Sequence, residues 1–295
     1  MRSIPFCRVL AFVLLLAPAG CRAQESSPEL NVCYGKADDR ELVLDVFRPP
    51  QTANAALHPA IILIHGGGWT GGDKKDMQDL GKGAARLGFV AFSINYRLST
   101  ETGNHWPAQL DDAQRAVRWV RANSAKYAVD PARIGALGSS AGGHLVTFLG
   151  TSDTRDNSDP ALADFSSRVS CVVDMAGPTD LTDNFAPKVK LGAYSNDLVR
   201  RLLGGKPADL GQVAHDASPL FRVDGKAAPF LIFQGKLDEL VPPDQAERLD
   251  SALHAAGVES KLIMFPQAGH GLNRKEDADR FIAETAEFLK SHLRP

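Results

Sequence analysis

A chain of 295 residues with 44 % hydrophobic content can bury one large core, the usual extent of a single sheet-based α/β domain. Its 33 Lys and Arg nearly balance 35 Asp and Glu, and no long like-charge run occurs. That balance argues against a nucleic-acid partner or a polyanionic substrate, and it leaves charge unable to identify the ligand.

Arg2 and Arg8 precede the apolar run Val9 to Ala17, which is too short to span a bilayer and reads as an export signal over residues 1–23. Small residues offer cleavage after Ala19 or after Ala23, and Cys21 offers a lipoprotein signal, although Pro18 stands where an aliphatic residue is usual. The expectation is a secreted or periplasmic protein, with lipid anchoring through Cys21 as the alternative. No later apolar run is long enough to form a transmembrane helix. Residues 24–295 then form the mature domain. Its cysteines, Cys33 and Cys171, lie far apart in the expected sheet and are read as two free, buried thiols outside any metal-ligand spacing.

From residue 40 onward, short β-rich runs alternate with helical patterns, as in a mostly parallel sheet covered on both faces. Arg40 to Phe47 alternates, with Leu42, Leu44 and Val46 on one face, and reads as an antiparallel edge strand. Ala60 to His65 and Phe89 to Asn95 are continuously apolar or β-branched, like strands buried on both sides. Met77 to Leu87 between them is a helix. Pro107 opens the clearest helix, with Leu110, Ala113, Val117 and Val120 at helical spacing up to about Asn123. The strand Arg133 to Leu137 leads through a tight turn into a helix ending near Gly150, and Val169 to Met175 is the next strand. Residues 178–226 lose regular alternation, a stretch too long for an ordinary connection, and are read as a small lid or cap. Alternation returns with strand Phe230 to Gln234, helix Asp244 to Ala256, strand Ser260 to Phe265 and a closing helix near Asp279 to Leu293.

A serine hydroxyl becomes a useful nucleophile only when a base takes its proton and a carboxylate fixes that base. Ser140 sits in Gly138-Ser139-Ser140-Ala141-Gly142, between a buried strand and a helix, the context in which G-x-S-x-G projects its serine outward. Ser139 is one residue early and should point away. The Ala141 N–H opens the helix, where the macrodipole favours a developing oxyanion. His65-Gly66-Gly67-Gly68-Trp69 follows a strand, and its glycines allow backbone N–H groups to approach a ligand closely; Gly67 and Gly68 are the chosen donors. His65 reads as an anchor for that loop. Asp238, after strand Phe230 to Gln234, is placed as the acid, with Glu239 its nearest competitor. His270, between Gly269 and Gly271 after strand Ser260 to Phe265, is the base. His254 and His292 fall within helices, and His144 should pack beneath the site. The order Ser140, Asp238, His270 is the α/β-hydrolase order. No metal or organic cofactor is called for.

On these residues, with Asn95-Tyr96-Arg97-Leu98, Pro107 to Asp112 with Ala116, and Asp130-Pro131-Ala132-Arg133-Ile134, the chain resembles the feruloyl/acetyl esterase and hormone-sensitive-lipase-like branches of the α/β hydrolases. The resemblance covers nearly the whole mature chain. It implies an α/β-hydrolase fold with a small lid after the sixth strand, and a carboxylesterase acting on short-chain or hydroxycinnamoyl esters, including those of plant polysaccharides. Ser139 stands where the lipase-like branch usually has Asp, and the residues before Arg40 leave little room for an N-terminal helical cap; both departures favour the polysaccharide-esterase branch. Asp112 matches a family position read here as structural. Trp69 and Trp106 are candidate pocket residues. An arylformamidase or a serine-peptidase-like amidase on the same fold is the alternative, and a non-catalytic binding protein is a more distant one.

Overall fold

In the computed structural model, which describes residues 27–37, 39–50, 57–182 and 191–294, eight strands form one sheet in the order β1-β2-β4-β3-β5-β6-β7-β8. The strands are β1 (Glu29–Ala37), β2 (Arg40–Phe47), β3 (His58–Ile64), β4 (Val90–Ile94), β5 (Val129–Ser139), β6 (Val172–Met175), β7 (Phe230–Gly235) and β8 (Ser260–Phe265). From β4 to β8 all neighbours are parallel, whereas β2 is antiparallel to both β1 and β4. The expected export signal, residues 1–23, lies outside the described residues.

Two features of the expected architecture change. Arg40–Phe47 is antiparallel as expected but is not at the edge, because Glu29–Ala37 pairs along its outer side. In that edge strand Tyr34 turns inward and is buried, so its neighbour Cys33 must point out of the sheet. Cys33 is free but exposed, not buried; Cys171 is free and buried, and burial pushes its thiol pKa up to about 12.

The alternation of side chains along the strands divides the core in two. Ile62, Ile64, Phe92 and Ile232 face a layer closed by Leu110, Val117 and Val120 of α2 (Ala108–Ala122) and Leu249 and Leu253 of α7 (Asp244–Ala255). Ile61, Leu63, Leu231 and Phe233 face the opposite layer, closed by Ala84 and Ala85 of α1 (Gln78–Arg86) and Phe281, Phe288 and Leu289 of α8 (Lys275–Leu293). Burial on both faces explains why β3 and β4 read as unbroken apolar runs. Every residue of α4 (Ala141–Thr151) is buried, the environment that a helix apolar all round requires.

The expected lid begins after β6. Its described part carries α5 (Gly192–Leu203) and α6 (Gly211–Asp216); a third apolar cluster forms there from Val199, Leu202, Leu203, Ala214 and Ala217 with Trp69 and Ala141. α3 (Ser124–Tyr127) is a single turn before β5.

The loop after β4 is held by one buried carboxylate. Asp112 Oδ1 and Oδ2 accept from Arg97 Nη2 and Nε at 2.8 and 2.9 Å, and Oδ2 also accepts from the Arg97 amide at 2.8 Å. Gln109 Nε2 adds bonds to Arg97 O, Ser99 Oγ and Asn104 O. This fits the structural reading of Asp112. Replacing Asp112 with Ala leaves a largely buried guanidinium without its bidentate partner, so a loss of about 3 kcal/mol is expected, measured as a lower urea midpoint at unchanged m-value.

Candidate active site

Ser140 occupies the turn between β5 and α4 with φ 55° and ψ −120°, a conformation that costs a non-glycine residue roughly 1–3 kcal/mol and needs its surroundings to hold it. Two bonds do so: the Ser140 amide donates to Met175 O at 2.8 Å, and Ser140 O accepts from the His144 amide at 3.0 Å. The turn also needs α4 pressed against the end of β3. A Cβ on Gly142 would lie 2.1 Å from Ile64 O, so only glycine permits that approach.

The remaining groups arrive from the carboxyl ends of β7 and β8. His270 Nε2 lies 2.9 Å from Ser140 Oγ, and His270 Nδ1 lies 2.8 Å from Asp238 Oδ2. Asp238 is buried, and its Oδ1 accepts the amides of Leu240 and Val241 at 2.8 and 2.9 Å. With both carboxylate oxygens accepting, Nδ1 carries the proton toward Asp238, and Nε2 is left free to accept from the serine hydroxyl. The expected trio is therefore brought together, with Asp238 rather than Glu239 at the imidazole.

The loop after β3 runs alongside. A Cβ on Gly66 would stand 3.3 Å from Ser140 Cβ, which puts the next amides of this loop beside the serine. Gly67 and Gly68 have φ of 119° and 57°, and Gly67 O accepts from the Thr70 and Gly71 amides. The Ala141 N–H belongs to the first turn of α4, whose amides have no intrahelical acceptor. The Gly-rich loop and the first turn of α4 thus flank Ser140 from two directions. His65 anchors the loop: it is buried, stacks on Tyr96 with ring centroids 4.4 Å apart and donates from Nδ1 to Gly66 O at 2.7 Å. Burial lowers its pKa and keeps it neutral.

Trp69 is only 3 % exposed, which leaves it little face to offer a ligand. Its Nε1 donates to His144 Nδ1 at 3.2 Å, while His144 Nε2 donates to Ala217 O at 2.8 Å. His144 thus packs beneath the site as expected; burial brings its pKa down to about 4. Trp106 is half-buried and lies against His144 and Phe148 with centroids 5.4 and 4.9 Å away. His254 is exposed and remote from this group, with Nε2 at Ser260 O, and His292 bonds within the last turns of α8.

Two site residues escaped the sequence reading. Gln234, 1 % exposed, donates from Nε2 to Asp238 Oδ2 at 3.0 Å and to Gly235 O at 3.2 Å, so it fixes the same oxygen that His270 contacts. Asp174 lies in β6 with Oδ1 accepting the Gly177 amide at 3.0 Å, and a Cβ on Gly143 of α4 would come within 2.2 Å of that oxygen. Its burial raises the carboxyl pKa to about 7. In both cases the signal was a polar residue inside an otherwise apolar strand. Among the described residues no group of three or more His, Cys, Asp or Glu is arranged to hold a metal ion, and no helix is long and apolar enough to cross a membrane.

A serine, histidine and carboxylate bonded in this order at the ends of β5, β8 and β7 are the arrangement of the α/β-hydrolase fold. The BD-FAE family model matches residues 44–253, and the chain belongs to that family. It is 32 % identical over 218 residues to the probable carboxylic ester hydrolase LipM of Mycobacterium tuberculosis, an overlap of 72 % of this chain and 48 % of that protein; the chain thus spans about half of that relative's length. Among solved structures, a truncated carbohydrate esterase from gut microbiota superposes with a TM-score of 0.78 at 27 % identity, covering 93 % of this chain and 99 % of that one. The acetyl ester-xyloside bifunctional hydrolase of Caldicellulosiruptor lactoaceticus gives 0.71 at 29 % identity, covering 84 % and 88 %.

Asp174 generates a pH-dependent stability. Its folded-state pKa of about 7 exceeds the unfolded value of about 3.9, so the folded chain holds a proton that the unfolded chain releases. The contribution of the neutral carboxyl is fully present below about pH 4 and is lost as pH rises through 7. Asp174→Asn, which stays neutral, should gain stability relative to the parent between pH 4 and 7 and hold that gain above; thermal unfolding at pH 4, 6 and 8 measures it.

Proposed function

We propose that this protein is a serine carboxylesterase working through an acyl-enzyme, with Ser140 as nucleophile, His270 as base and Asp238 as the acid that orients it. The observation that carries the reading is the continuous pair of bonds Ser140 Oγ to His270 Nε2 to Asp238, at 2.9 and 2.8 Å. His270 takes the Ser140 proton as Oγ attacks the ester carbonyl, and the Gly67, Gly68 and Ala141 amides receive the negative charge on the carbonyl oxygen. His270 then protonates the departing alcohol. A water deprotonated by His270 attacks the acyl-serine and releases the acid, while Asp238 stabilises the imidazolium without accepting its proton.

Short-chain or hydroxycinnamoyl esters, including acetyl or feruloyl groups on plant polysaccharides, are the proposed substrates. The likeness to the carbohydrate esterase and to the acetyl ester-xyloside bifunctional hydrolase supports this choice. Residues 1–23 are proposed as an export signal ahead of a hydrolase domain at 24–295, giving a secreted or periplasmic enzyme, or one anchored at Cys21.

Purified protein should react with a fluorophosphonate probe and hydrolyse p-nitrophenyl acetate, and Ser140→Ala should abolish labelling and lower kcat/KM by roughly 10⁴-fold or more. Labelling that persists in Ser140→Ala would overturn the assignment. A strong preference for N-formylkynurenine over p-nitrophenyl acetate would identify an arylformamidase instead.

A further inference from the structure

The cap helix α5 is fastened at both ends to loops that carry the site. At its start the Leu191 amide donates to Glu239 O at 3.1 Å, and Ser195 Oγ donates to Leu240 O at 2.8 Å, one and two residues beyond Asp238. At its end the Trp106 amide donates to Leu202 O at 2.7 Å, His105 Nδ1 donates to Arg201 O at 2.8 Å, and Arg200 and Arg201 each pair with Glu101 at 3.0 Å. Between these anchors Leu198, half-buried, lies on Gly68. A Cβ built on Gly68 would meet Leu198 Cδ1 at 2.5 Å and Cδ2 at 2.8 Å. The isobutyl group is therefore in contact with the loop whose amides receive the carbonyl oxygen.

The chemistry fixes which part of an ester comes here. His270 must reach the leaving oxygen, so the alcohol lies on the imidazole side. The oxygen that becomes negative turns to the amides, and the acyl chain takes the remaining direction, away from His270. Next to the nucleophile, Ala141 belongs to an apolar cluster with Val199, against which Leu198 and Trp106 pack. A wall held at both ends does not yield to a longer chain as a hinged one would.

We propose that Leu198 sets the upper size of the acyl group, restricting the enzyme to short acyl esters such as acetyl and excluding long or bulky ones. The inference rests on the serine-esterase reading above and narrows its substrate class. Since one methylene in an apolar pocket changes kcat/KM by about 10- to 200-fold, removing an isobutyl wall should be visible in a chain-length series.

The test is kcat/KM for p-nitrophenyl acetate, butyrate, hexanoate and octanoate with the parent, Leu198→Ala and Leu198→Phe, each titrated with a fluorophosphonate so that only active sites are counted. The parent should fall steeply beyond butyrate. Leu198→Ala should raise the octanoate-to-acetate ratio by about tenfold or more, and Leu198→Phe should lower the butyrate-to-acetate ratio. A chain-length profile identical in all three proteins, at equal probe titre, overturns the proposal while leaving the esterase reading intact. Failure of the parent to react with the probe at all removes that reading, and this proposal with it.

Discussion

The Ser140 amide donates to the Met175 carbonyl, and that bond ties a strained turn on β5 to the end of the neighbouring strand β6. Without it the backbone would relax from a positive φ, and the hydroxyl would no longer stand above the sheet. Everything else in the site is positioned relative to this turn. The start of α4 lies against the Ile64 carbonyl, so the Gly-rich loop issuing from β3 cannot drift away from the serine. Asp238 and His270 come from the next two strands in the same sheet order. Their spacing from Ser140 is inherited from the sheet rather than from flexible connections.

Burial biases three titratable groups around this turn toward their neutral forms. His65 and His144 are pushed toward the neutral form by burial, and burial likewise biases Asp174 toward its protonated form. Each is bonded to a backbone group rather than to an ion: Gly66 O for His65, Ala217 O for His144 and the Gly177 amide for Asp174. A fixed ion at any of these places would compete with the partial positive charge at the start of α4. Asp238 is the buried carboxylate that bonds His270.

The placement of Ser140, Asp238 and His270 was legible because each follows a strand at its carboxyl end, with glycines beside Ser140 and His270. The central strands were legible because they are buried on both faces. β1 was not: of its nine residues only Tyr34 is fully buried, so the strand carries almost no hydrophobic periodicity, and missing it also misdirected Cys33. Gln234 and Asp174 were present in plain view as polar interruptions of apolar runs, but their meaning depends on partners supplied by folding. The contact of Leu198 with Gly68 spans much of the chain and leaves no local trace at all. Trp69 was a candidate pocket residue, but folding buries it, with its indole N–H on His144, a partner no local pattern names.

His144 has a consequence for how this sequence can change over time. Its ring accepts on one edge from Trp69 and donates on the other to Ala217 O, while its faces and edges pack against Trp106 and Phe148. A phenyl ring would keep the packing but strand an indole N–H and a carbonyl in the dry interior. An amide could match the polarity but not the span. Substitution at 144 is therefore coupled to simultaneous change at Trp69 and around Ala217, which lie in the oxyanion-side loop and the cap. Three segments distant in the chain are thereby made to drift together, or not at all.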